Sequence, residues 1–440
     1  MNRILMHDLV KWKASPRRKP LIIKGVRQVG KTWLLNEFGK TNYENVAYFN
    51  FEGNMALAKM FLKDFDTKRL ISELSVLNEA SISPEKTLII FDEIQFCSEA
   101  ITSLKYFCEN APEYHLVCAG SLLGIALARP TSYPVGKVDM LTLRPMSFYE
   151  FLLANSEEIL VQYIDKEIKV KDSIEEVFAN KLAHHLKTYF ITGGMPEAVF
   201  SWIASKDIEA LEQIQQNILN LYELDFAKYA PHNDIPKLSM IWNSIPNQLA
   251  KENGKFVYGL LKEGAGARAF ENAMTWLQNA GMIYKVHKIE KPGMPLKAYV
   301  NNSYFKLYAP DIGLLRKMAG LSPKSVMEED RLYQEFKGAM TENYVLAELI
   351  SQTGEVPFYW TTGNLAEVDF VVQFEDKIVP IEVKASKSVR SKSLGIYRQK
   401  YQPEVALKVS MKDFECSNGL FNIPLYVFWK LKELLKEEPT

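Results

Sequence analysis

The sequence predicts an α/β protein: a parallel sheet between helices in the first third, a helical middle, and a second α/β unit towards the end. Three observations predict it. Between about 20 and 150, short apolar runs (PLIIKG, NVAYFNF, KTLIIFDE and YHLVCAGS) alternate with helical patterns. Runs that are apolar on both faces suit parallel strands with helices above and below them. From about 150 to 235 the pattern turns helical, in FYEFLLANSEEILVQYI and ALEQIQQNILNLYELDF, with a break at Gly193-Gly194-Met195-Pro196. From about 330 onward a helix, two or three strands, another helix and a final strand, PLYVFW, make the second α/β unit.

Between those blocks, residues from about 236 to 310 give two or three short helices and a strand pair around KPGMPL. KMAGLSPKSVMEEDR (317–331) reads as a linker or a mobile segment. At 440 residues the chain is too long for one core. A hydrophobic fraction of 47% and a charged fraction of 24% are those of a globular protein. Basic and acidic residues both number 53, so any contact with nucleic acid has to come from a local basic patch.

The four cysteines, Cys97, Cys108, Cys118 and Cys416, form no CxxC pair, which argues against a zinc site or disulfide framework and suits a reducing cytosol. The first twenty residues are basic and amphipathic, without the apolar core and cleavage site of a signal peptide. No apolar run approaches the roughly 20 residues that span a bilayer. The expectation is a cytoplasmic protein with no membrane partner.

The strongest local signal is LIIKGVRQVGKT (21–32). Gly25, four residues (Val26, Arg27, Gln28 and Val29), then Gly30-Lys31-Thr32 match the phosphate-loop spacing, directly after an apolar strand and before the helical run that starts at Trp33. The glycines let successive backbone N–H groups turn inward around a β-phosphate, and the helix N-terminus adds positive potential. Lys31 can reach the β- and γ-oxygens, and the Thr32 hydroxyl can ligate Mg²⁺. ATP and Mg²⁺ are the ligands this predicts.

TLIIFDEIQ (87–95) agrees with it: a buried strand ending in Asp92 and Glu93. The first acid can hold a metal-bound water, and the second can polarise the attacking water. A third strand, HLVCAGS, ends in Ser121, placed either to sense the γ-phosphate or to cap the helix that follows.

Taken together, KPLIIKGVRQVGKT, FDEIQ, CAGSLLG, PVGKV…RPMSFYEFL and FITGGMPEAV resemble a prokaryotic group of AAA+-like ATPases whose C-terminal half has no characterised role. The resemblance implies an ASCE-class P-loop core, with Lys31 and Thr32 on nucleotide and metal, Asp92 as the further metal-side acid and Glu93 as catalytic base. It also implies an arginine at the γ-phosphate. Arg129, Arg144 and Lys137 are the candidates, acting in cis or from a neighbouring subunit of a homo-oligomer.

The middle stretch DIPKLSMIWNSIPNQLAKENGKFVYGLLKEGAGARAFENAMTWLQNAGMIYKVHKI has the cadence of a winged helix-turn-helix. Its recognition helix would carry Arg268, with Lys255, Lys262, Lys285, Lys288 and Lys291 around it. DNA-reading helices take much of their affinity from phosphate neutralisation. This basic character is modest, so contact with DNA and contact with protein both stay open.

Residues 366–386, AEVDFVVQFEDKIVPIEVKAS, read as a hairpin whose strands carry Asp369, Glu382 and Lys384 among apolar neighbours. Glu382 and Lys384 differ by two and share a face. Glu342, on the helix GAMTENYVLAELI, is available as a third acid. Clustered carboxylates repel unless a cation neutralises them, which predicts a divalent ion on Asp369 and Glu382. Lys384 would orient or deprotonate the attacking water.

The set resembles the PD-(D/E)xK nuclease superfamily. That implies a restriction-endonuclease-like domain, either cleaving or inert.

The chain therefore reads as a P-loop ATPase core (1–150), a helical lid (151–235), a winged-helix-like module (236–316) and a nuclease-like domain (330–440). The expected function is ATP hydrolysis coupled to DNA, with a nucleotide-dependent interaction switch as the alternative.

Overall fold

The computed structural model describes residues 3–126, 134–169, 172–251, 254–363, 365–386 and 391–436. The chain forms two compact units, Met1–Arg144 with Asn279–Met282, and Pro145–Gln278 with Ile283–Thr440.

The first unit is built on five strands: β1 (Leu21–Lys24), β2 (Asn45–Asn50), β3 (Thr87–Asp92), β4 (His115–Ala119) and β5 (Asp139–Thr142). Their order is β2-β3-β4-β1-β5, with every neighbouring pair parallel. Every residue of β3 and β4 is buried. Helices cover both faces, so these strands read as continuous apolar runs without alternation. Ile89, Phe91, Leu116 and Cys118 sit at the core, ringed by Phe49, Phe51, Phe61 and Phe107. Burying each large side chain contributes roughly 1.5–3 kcal/mol.

All five strands run the same way, so the loops after β1, β3 and β4 emerge at one edge of the sheet. That edge is where ligands bind in open α/β sheets. The mixed α/β class and the parallel sheet are as the alternating apolar runs predict.

The second unit carries an eight-stranded mixed sheet: β6 (Tyr284–Ile289), β7 (Val300–Tyr308), β8 (Phe358–Thr361), β9 (Glu367–Phe374), β10 (Lys377–Val383), β11 (Ala406–Ser410), β12 (Glu415–Ser417) and β13 (Leu420–Pro424). The order is β12-β13-β11-β10-β9-β8-β6-β7. The strand pair read as a wing is thus continuous with the sheet of residues 330–440. Lys288 and Ile289 of β6 pair with Tyr359 and Trp360 of β8. The reason is apolar: Val286 and Ile289 are fully buried, and Ile289 packs with Trp360, Val368 and Leu394.

The helices read as a lid lie in this second unit and are tied within it by buried polar groups. Asp311 accepts the Gly194 N–H (2.6 Å), Glu348 accepts the Phe148 N–H (2.7 Å), and Lys430 donates to the Ile164 carbonyl (3.0 Å). Buried Arg316 donates to Glu212, Gln215 and the Ile191 carbonyl. Burial pushes Asp311 up to about 6 and Glu348 up to about 7.

Two local expectations change. PLYVFW is not the final strand. The last strand ends at Pro424, whose missing N–H stops the ladder, and Leu425–Lys430 forms a 3₁₀ turn. An apolar run buried on all sides has no period to separate strand from turn. The segment read as a linker instead folds into the helices Ile312–Met318 and Pro323–Glu328, capped by Asp311 and Ser322. Among the described residues no helix is long and apolar enough to cross a membrane.

Candidate functional site

In the first unit the loop from Gly25 to Gly30 leaves β1 and enters the helix Lys31–Asn42. A Cβ at Gly25 would lie 2.3 Å from the Leu143 carbonyl oxygen, so only glycine fits. Gln28 at φ +62° and Gly30 at φ +91° bend the backbone into the left-handed region. Alternation of this kind turns successive N–H groups into an anion-binding concavity. Val26 and Val29 are buried and pin the loop from below, and Arg3 donates to the Val29 carbonyl at 3.1 Å. Arg27 is half-buried, and Trp33 is exposed on the first turn of the helix.

The Lys31 ammonium donates to the carbonyls of Gly25 (2.9 Å) and Val26 (2.8 Å). Thr32 Oγ1 donates to Asp92 Oδ2 at 2.7 Å, and the Tyr48 hydroxyl donates to the same oxygen at 2.8 Å. Asp92 Oδ1 accepts the Glu93 N–H at 2.9 Å. Asp92 is buried, and burial, together with the hydrogen bond to Asp92, pushes the Tyr48 phenol well above its usual range. Glu93 itself sits at φ +49°. Its carboxylate accepts from Ser121 Oγ (3.1 Å) through one oxygen and from the Gln95 amide through the other.

The structure therefore gathers Lys31, Thr32, Asp92, Glu93 and Ser121 at one sheet edge. Tyr48 and Gln95 were not among the expected residues. Gln95 lies inside the FDEIQ run, and Tyr48 sits in NVAYFNF, where only the pairing of β2 with β3 shows its partner. Of the γ-phosphate candidates, Lys137 is paired with Glu109 at 2.9 Å, and the Arg144 carbonyl accepts from Arg3. Arg129 lies outside the described residues. A hydroxyl, a carboxylate and an ammonium resting on neutral carbonyls fit a magnesium ion and a triphosphate.

The second unit brings the other predicted residues together differently. β9 and β10 form a two-residue hairpin in which Phe374 pairs with Lys377 and Phe370 with Ile381. Asp369 Oδ2 accepts the Val383 N–H at 2.7 Å. Glu382, 3% exposed, accepts the Leu394 N–H (3.2 Å) and is paired with Lys384 at 2.6 Å. Glu342 accepts from the Tyr308 hydroxyl at 3.0 Å.

Lys306 of β7, 1% exposed, enters this cluster, 2.6 Å from Glu367 and 3.6 Å from Glu342. Burial, then the Glu342 charge, pushes the Asp369 carboxyl well up. Among the described residues no group of three or more His, Cys, Asp or Glu side chains is arranged to hold a metal ion. Lys306, Glu367 and Tyr308 went unnoticed in the sequence, where the lone hint is a lysine inside the otherwise apolar end of β7.

Three family models match parts of the chain. Residues 17–152 match an AAA domain, 183–325 a domain of unknown function (DUF8612), and 337–428 another domain of unknown function (DUF4143). No curated protein matches.

Similar solved structures include a Walker-type ATPase of Pyrococcus abyssi (12% identity, 72% of this chain and 95% of that one, TM-score 0.44). Others are DnaA from Aquifex aeolicus bound to AMPPCP (13%, 63% and 87%, TM-score 0.27) and the Aeropyrum pernix Orc1 protein in complex with DNA (13%, 75% and 91%, TM-score 0.26). The phosphate loop and the strand-end acids of the N-terminal unit both lie within residues 17–152, the stretch that matches the AAA domain model.

Proposed function

We propose that the chain binds and hydrolyses ATP in its first unit and binds DNA through its second. The observation that carries the first half is the contact of Thr32 Oγ1 with Asp92 Oδ2 at 2.7 Å, which joins the phosphate loop to the acid-bearing strand. The loop amides and the start of the helix Lys31–Asn42 receive the β-phosphate. Lys31 leaves its two neutral carbonyls for phosphate oxygens, which are the stronger acceptors. Thr32 and Asp92 would hold magnesium, which when bound neutralises charge on the β- and γ-phosphates. Glu93 takes the proton of the attacking water, with Ser121 and Gln95 fixing the direction of its carboxylate.

Purified protein supplied with MgATP is expected to release ADP. Lys31→Ala should reduce nucleotide binding by calorimetry and lower turnover by about 10²–10³-fold. Equal turnover in wild type and variant would sink the reading.

Support for the second half comes from the edge of the eight-stranded sheet. Lys255 lies 3.8 Å and Lys288 5.3 Å from the ring centroid of exposed Tyr304, and Lys285 lies 4.2 Å from that of Phe305. Ammonium groups beside the exposed Tyr304 ring offer a phosphate backbone both charge and a stacking surface. The double variant Lys255→Ala, Lys288→Ala should weaken DNA binding and reduce the slope of log affinity against log salt by roughly 2. An unchanged slope would remove DNA from this surface.

A further inference from the structure

We infer that Lys306 is the resident cation of the carboxylate cluster in the second unit, standing where a nuclease of this layout would hold a divalent ion. The inference does not depend on the ATP reading.

Each acid of the cluster already has a donor from the protein. Glu367 has Lys306 at 2.6 Å. Glu342 has the Tyr308 hydroxyl at 3.0 Å and Lys306 at 3.6 Å. Asp369 has the Val383 N–H, and Glu382 has both Lys384 and the Leu394 N–H. The ammonium of Lys306 is enclosed as well. It lies 5.4 Å from the centroid of the Tyr359 ring, and Gly254 passes its aliphatic stem close enough that an added Cβ would touch it at 3.4 Å.

Burial alone would drive such a lysine neutral. The charges of Glu342 and Glu367, with Asp369 and Tyr308, outweigh burial and hold it protonated. The acids are thus neutralised from within, and Asp369 is already engaged by the Val383 N–H at 2.7 Å. A divalent ion entering the cluster would have to displace a buried ammonium that has no other acceptor of comparable strength nearby among these contacts, and would be repelled by it meanwhile. The predicted ligands therefore do not fit a metal. On the DNA reading proposed above, the second unit is accordingly a module that does not cut its nucleic acid by a metal-dependent route.

The test is Mn²⁺ titration of nucleotide-free full-length protein, followed by electron paramagnetic resonance. Wild type and Asp369→Asn should bind Mn²⁺ equally. Lys306→Gln should gain a site at least about tenfold tighter than any shared background, lost again when Asp369→Asn is added. A folded Lys306→Gln protein that gains nothing overturns the inference. So does a wild-type Mn²⁺ site that Asp369→Asn removes. If Lys306→Gln does not fold, the comparison of wild type with Asp369→Asn decides alone. A second readout needs no variant of Lys306: wild type should not nick plasmid DNA with Mn²⁺, and nicking that Lys384→Ala abolishes would contradict the assignment.

Discussion

The two polar sites of this protein use the same residue types to opposite ends. In the first unit, Lys31 rests on the carbonyls of Gly25 and Val26, and Asp92 is held by the hydroxyls of Thr32 and Tyr48. Carbonyls and hydroxyls are neutral groups, and a charged ligand outcompetes them. In the second unit, Lys306 is bound by Glu367 and flanked by Glu342, while Lys384 is bound by Glu382. Those pairs are charged, with Lys306 and Glu382 buried and their partners half-buried, and each acid is already committed to a cation of the protein. A lysine parked on carbonyls is poised for a ligand, and a lysine locked among carboxylates has become part of the core. Residue identity alone does not separate the two. The partner of the ammonium does.

Breaking the locked site should cost the most stability. Lys306→Met leaves the half-buried Glu367 and Glu342 without their cation, and a loss of about 3 kcal/mol is expected from urea denaturation of the full chain. A loss near zero would mean that the cluster is open to water. The poised site should behave differently. Thr32→Ala removes the hydroxyl that donates to Asp92 and should cost only about 1 kcal/mol of stability, while metal-dependent nucleotide turnover collapses.

A third prediction concerns pH and a carboxyl outside both sites. Glu348, buried beside Tyr189, Tyr344 and Glu150 and bonded to the Phe148 N–H, titrates at about 7 in the fold against 4.5 when free. The folded form holds its proton more tightly than the unfolded form. Its contribution to stability is therefore full below pH 4.5 and is lost as pH rises through 7. Glu348→Gln should remove that slope, so that wild type loses roughly 3 kcal/mol relative to the variant across the window. Parallel stability curves for the two proteins would contradict it. The smallest effect belongs to Tyr48→Phe, which drops one of the hydrogen bonds on Asp92 and should cost about 0.5–1.5 kcal/mol by thermal denaturation.

The poised site was legible in the sequence because its chemistry is local. Gly25 to Thr32 is one contiguous loop, and Asp92-Glu93 close one strand. Parallel strands then bring the two together without any further instruction. The hairpin bearing Asp369 and Glu382 was legible for the same reason, through its two-residue turn and the period of two between Glu382 and Lys384.

What was hidden is the cation. Lys306 comes from β7, sixty-one residues before Glu367 in the chain, and reaches the cluster through the pairing of β6 with β8. Nothing in the local pattern around 306 specifies that pairing. The long-range polar ties of Asp311, Arg316, Glu348 and Lys430 were hidden likewise, since periodicity marks them as exceptions without naming their partners. Arg129, the remaining candidate for the γ-phosphate, lies outside the described residues.

Glu93→Gln tests the central claim most directly, because it keeps the shape of the side chain and removes only its ability to take a proton. Nucleotide binding and ADP release should be measured on the same preparation. MgATP should bind at wild-type affinity, with ADP release slowed by about 10²-fold or more. ADP release at the wild-type rate, with binding intact, would show that the carboxylate held by Ser121 and Gln95 is not the base.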